Sequence, residues 1–150
     1  MLPILNSKQT GTYALVIFSP NHLSLPIGKL GIQDFPVGYY VYAGSALKGL
    51  RQRLNRHLTA NKILHWHIDY LLQRTSVKQI WYSLSHDRLE CKWNAILGEL
   101  PGATPFIRGF GSSDCRCQTH LTHFLIIPSF SIFKRELENR GLPPLYQLTI

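Results

Sequence analysis

The longest uninterrupted apolar stretch near the start of the chain is Gly11 to Phe18, GTYALVIF, which ends at Ser19-Pro20. Its richness in β-forming residues predicts a strand. Leu23 to Ile27 reads as its hairpin partner, with Asn21-His22 in the connection. After the turn-rich GKLGIQDFPVG, a further strand covers Tyr39 to Tyr42 and stops at Gly44-Ser45. The period then changes. Leu50, Leu54 and Leu58 recur at helical spacing, and His65 to Gln73 reads as a second helix with Ile68, Leu71 and Leu72 inward. Val77 to Leu84 is a third main strand.

Asp87 is placed to cap a helix from about Arg88 to Leu100, with Glu90 three residues on as in a capping box. Leu89, Trp93, Ile96 and Leu100 form its stripe, and Pro101-Gly102 stops it. The polar loop GFGSSDCRCQTHL precedes a strand at Leu121 to Ile127 and a helix at Phe130 to Asn139. The sum is a single α/β (α+β) domain over residues 1–150, with its core at about 11–127. It has a small mixed or antiparallel sheet with helices beside it, an extra strand and a C-terminal helix.

Composition narrows the class. At 150 residues and 45% hydrophobic, the chain can build one core. Sixteen Lys and Arg against eight Asp and Glu give a formal net charge of +8, which favours a polyanion such as nucleic acid. No stretch reaches the roughly 18 apolar residues of a membrane helix, and MLPILNSKQTGTY has no basic segment ahead of its apolar run. A cytoplasmic location without a membrane partner is expected. Three cysteines do not make a disulfide framework, so they read as thiols.

Chemistry concentrates between Gly38 and His57, GYYVYAGSALKGLRQRLNRH. On a helix, Arg53 neighbours both Arg56 and His57, opposite the leucine stripe. Such a face is either a solvated basic surface or a phosphate grip, because the guanidinium fork holds two oxygens of one phosphate. Tyr40 and Tyr42 share a face of their strand, for packing or for orienting a water or phosphate.

Gly11-Thr12-Tyr13 followed by Tyr42-Ala43-Gly44 resembles the paired signature of the GIY-YIG nuclease superfamily. In YVYAGSA, HWHIDYL, EC and GFGSSDCxCxxHL the chain further resembles a small stand-alone branch described as a domain of unknown function, DUF123-like. The resemblance implies a three-stranded, mainly antiparallel sheet flanked by helices. It also implies an endonuclease that hydrolyses DNA phosphodiester bonds, on single-stranded or branched DNA, with a divalent metal. In that reading Tyr13, Tyr42, Arg53, His57 and Glu90 are catalytic. Tyr42 or His57 would activate water, Arg53 would steady the phosphate, and Glu90 would hold Mg²⁺ or Mn²⁺. Arg56 and Asn94 support the set, Asn94 from the helical face of Glu90. Two alternatives stand beside it: a non-catalytic nucleic-acid-binding module, and a zinc-stabilised interaction domain.

Other residues carry their own readings. His65 and Asp69 share a helical face, as a cap, a structural bond or a proton-handling pair, and His67 is placed to face the site. Cys115, Cys117 and His120 form C-x-C-x2-H, and Cys91 would complete a tetrahedral Zn²⁺ set that orders the loop. Against this, Cys91 is also suited to burial as a small apolar residue. Asp114 is a further acid that could join Glu90 at a metal.

Overall fold

In the computed structural model, which describes residues 5–112, 115–148 and 150, the chain forms a six-stranded sheet, a separate two-stranded sheet and four α-helices. The elements in order are β1 (Gly11–Ser19), β2 (Leu23–Pro26), β3 (Ile32–Phe35), β4 (Gly38–Ala46), α1 (Leu50–Leu58) and α2 (His67–Leu72). Then follow β5 (Ser76–Leu84), α3 (Glu90–Leu97), β6 (Thr104–Pro105), β7 (Leu121–Phe124), α4 (Phe130–Asn139) and β8 (Tyr146–Leu148).

The large sheet runs β6-β7-β4-β1-β5-β8, with every pairing antiparallel. The expected three-stranded sheet is therefore corrected to six strands. β7 answers to the extra strand expected at Leu121 to Ile127, and the two members not expected are short: β6 has two residues and β8 three. Segments of that length leave little periodic trace.

β1 explains the architecture. It is buried along nearly its whole length because its alternate side chains serve two different cores. Tyr13, Leu15 and Ile17 face a cluster with Tyr42, Leu50, Leu54, Ile68 and Leu71, so α1 and α2 cover that side. Ala14 and Val16 face Trp81, Trp93, Phe133 and Leu137, so α3 and α4 cover the other. A strand buried on both faces loses polar alternation, hence the continuous run GTYALVIF.

One pairing and several bounds differ from expectation. β2 pairs with β3, not with β1. β4 continues to Ala46, through Gly44-Ser45. α3 begins at Glu90 with Leu89 as the residue before it, so Asp87 does not cap it. No helix among the described residues is long and apolar enough to cross a membrane.

Candidate metal centre and cleft

The register of β1 against β4 sets Tyr13 opposite Gly44. A Cβ at Gly44 would lie 2.6 Å from the Tyr13 hydroxyl. The missing side chain therefore leaves the space in which that hydroxyl sits. From there Tyr13 Oη meets His57 Nε2 at 2.6 Å, in the buried interior beside Tyr42. Burial pushes the Tyr13 phenol up to about 12, partly opposed by the Arg53 guanidinium, and raises Tyr42 well above its ordinary value. Burial also lowers His57 to about 3, so the imidazole is neutral. Its Nδ1 has no hydrogen-bond partner among the described residues.

Arg53 reaches the other way, its Nη1 donating to the Ser45 carbonyl at 3.2 Å. Its guanidinium also lies 4.5 Å from the centre of the Trp66 ring, and that of Arg56 lies 4.4 Å from it. Arg56 is committed elsewhere. It makes a two-pronged pair with Asp69, at 2.8 and 2.9 Å. Asp69 is fully buried, and its Oδ2 also accepts the backbone N–H groups of His65 and Trp66, each at 2.8 Å. Despite the cost of burial, these bonds hold its carboxyl below the usual range. Asp69 thus fastens the start of α2 to α1. It binds the His65 backbone, and the imidazole of His65 is left to the rim of a cleft.

That cleft, about 210 Å³, opens where the end of β4 meets α1, α2, α3 and the loop after β6. Arg53, His65, Trp66 and His67 line one side, and Arg88 and Glu90 another. Glu90 is buried. It accepts the Ser45 hydroxyl and pairs with Arg88 at 3.2 Å. His67 Nδ1 accepts the Gly111 N–H at 2.9 Å, tying the loop to α2.

The third side holds Cys115 and His120. With Cys91 and Cys117 their ligand atoms all lie within 4.8 Å of one another, forming a Cys3His cluster of the zinc type. Zn–S bonds of about 2.3 Å and a Zn–N bond of about 2.0–2.1 Å at tetrahedral angles need donor separations of roughly 3.5–3.8 Å. His120 Nε2 lies 3.7 Å from Cys91 Sγ and 3.3 Å from Cys115 Sγ, so the donor set fits a tetrahedral ion. The sequence supplies it from two elements. Cys91 stands on the first turn of α3, and the other three come from the loop before β7. Asn94, one turn along α3, donates to the Thr119 carbonyl at 2.6 Å, next to His120. The Cys91 side chain is half-buried, against the expectation of a buried apolar role.

The expected metal-dependent endonuclease is overturned by this cluster. Thiolate and imidazole donors select zinc, whereas Mg²⁺ and Mn²⁺ favour oxygen ligands. Four protein donors also close a tetrahedral site, which is the structural arrangement, without the open position that a catalytic ion keeps. Glu90, expected to hold the catalytic ion, has its two carboxylate oxygens taken by Ser45 and Arg88. The assignment of an enzymatic hydrolase goes with it.

The structure brings Tyr42, Arg53, His65, His67 and Glu90 to the cleft, with Tyr13 and His57 bonded behind it. Arg56, Asp69 and Asn94 hold elements together, and Asp114 lies outside the described residues. Ser45, Arg88, Trp66 and Gly111 were not singled out from the sequence. Arg88 was visible two residues before Glu90, and Trp66 stood between two histidines, but only tertiary packing joins them.

A family model described as a domain of unknown function, DUF123, matches residues 12–138. The chain belongs to the DUF123 family. The match begins one residue before Tyr13 and takes in the whole cleft and the Cys3His cluster of this DUF123 chain. No curated protein and no solved structure matches it.

Proposed function

We propose that this protein is a non-catalytic nucleic-acid-binding module whose phosphate-holding cleft is braced by a structural Zn²⁺ ion. The observation that carries the reading is the shared wall: Cys115 and His120 belong to both the metal cluster and the cleft. The ion supplies folding energy to a loop without regular structure. The chain's own residues do the binding. Arg53, held by stacking on Trp66, presents a guanidinium fork to a phosphate, and His65 offers a ring face to sugar or base. Arg88 adds a second cation and is exposed at the rim. A formal charge of +8 draws the strand in.

Tyr13, Tyr42, His57 and Glu90 are positioning residues in this reading. The Tyr13–His57 bond fixes the floor, and Glu90 orients Ser45 and Arg88.

The test is anisotropy of a fluorescein-labelled single-stranded DNA with zinc-loaded protein. Binding that weakens as salt rises is expected, with the labelled strand left intact. Arg53→Ala is expected to weaken it by roughly 10–100-fold, the value of a charge-assisted bond to phosphate. Salt-independent affinity, or affinity unchanged in Arg53→Ala, contradicts the assignment. A protein-contact reading has one observation in its favour, the run Leu125-Ile126, which is 79% and 80% exposed. It takes precedence if the DNA does not bind.

A further inference from the structure

The loop that closes the cleft is packed into the core through Phe110, and past that residue its hydrogen bonds to the body of the protein are few among the described residues. Its base is anchored where Ala43 N–H donates to the His120 carbonyl and Asn94 to that of Thr119. Toward the tip, the Ser112 and Cys115 N–H groups donate only within the loop, to Gly109 and Ser112. Among the described residues, the tip's hydrogen bond to another element is Gly111 to His67. The loop also carries Ile107 at φ 59°, a left-handed conformation that a β-branched side chain disfavours. Phe110 is buried in the core against Tyr42 and His67, and beyond that anchor the cluster joins Cys115 and Cys117 to Cys91 on α3.

All three thiols are half-buried, so a small oxidant reaches them. Cys115 and Cys117 are separated by the single residue Arg116, a poor span for a bridge. Cys91 comes from a different element and lies within the cluster distance of both.

We propose that the Cys3His centre is a redox-operated latch: oxidation of Cys91 with Cys117 expels the metal, releases the wall bearing Cys115 and His120, and switches off binding in the cleft. The latch rests on the proposed binding function. Hydrogen peroxide is the oxidant. It takes two electrons from the two thiolate sulfurs, an S–S bond forms and the O–O bond breaks. Two protons from solvent complete two waters. Cys115 and His120 are then too few to retain Zn²⁺, which leaves. A thiol reductant with added Zn²⁺ reverses the change.

The experiment follows anisotropy of labelled single-stranded DNA and a chromogenic zinc indicator together as hydrogen peroxide is added to zinc-loaded protein. Expected are zinc release and an affinity loss of about tenfold or more, the scale of lost charge-assisted contacts, both reversed by dithiothreitol and Zn²⁺. Circular dichroism is expected to keep the sheet signal. Cys91→His retains four donors but leaves only Cys115 and Cys117, so its bound Zn²⁺ is expected to resist release by peroxide. Zinc release without loss of affinity overturns the latch alone. Loss of the sheet signal with affinity also overturns it, as does a Cys91→His protein as sensitive as wild type. Untreated zinc-loaded protein that fails to bind DNA overturns the binding function and the latch with it.

Discussion

Tyr13, Gly44 and His57 show how single side chains set the floor of the cleft. A hydroxyl enters the space left by a missing Cβ and meets a buried imidazole held neutral, with its value lowered to about 3. In the unfolded chain that histidine titrates near 6.5. Between these values the unfolded state binds the extra proton, so stability is full above about pH 6.5 and falls as the pH drops toward 3. Urea unfolding of wild type and His57→Gln, compared from pH 7 to pH 4, checks this. The stability difference between them is expected to shrink with acid at up to about 1.4 kcal/mol per pH unit. Metal loss in acid affects both proteins and cancels in the difference. A difference that stays constant with pH contradicts the buried neutral imidazole.

Among the elements, β1 bears most of the fold, and it was the element the sequence made plainest. Its continuous apolar run, α1's leucine stripe and α4's bounds from Phe130 to Asn139 were all legible, because long segments repeat their period. β3, β6 and β8 were not, since runs of two to four residues carry little period and are held by their neighbours' ladders. β7 was expected to run to Ile127, but its last three residues are exposed and unpaired. In the site, C-x-C-x2-H and Cys91 were legible as a zinc set. The partnership of Arg88 and Ser45 with Glu90 was not, because it depends on where β4 ends against α3. β1 also gives a graded prediction. A Cβ at Gly11 would lie 2.0 Å from the Ser83 carbonyl oxygen, which is backbone of the paired strand β5. At Gly44 the obstacle is the Tyr13 side chain, which can shift. Gly11→Ala is therefore expected to lower the thermal midpoint more than Gly44→Ala, with overpacking costs of about 1–3 kcal/mol or more. Equal losses in a melting experiment would contradict the register of β1 on β5.

At the scale of the whole molecule, two cores lie on opposite faces of one sheet, and the cleft sits where both helix layers reach the end of β4. The layer of α1 and α2 contributes cations and rings. The layer of α3 contributes Glu90 and Cys91 on adjacent residues, one facing the cleft and the other the metal cluster. The two chemistries of the protein therefore meet in a single dipeptide. The metal centre is the part on which the rest depends, and its content is directly measurable. Native mass spectrometry of the full chain, with Cys91→Ala and His120→Ala beside it, tests it most directly. One Zn²⁺ bound per chain, lost or greatly weakened in both variants, is the predicted result. A wild-type protein that takes up no zinc, or variants that retain it as tightly as wild type, would contradict the Cys3His centre and the braced cleft built on it.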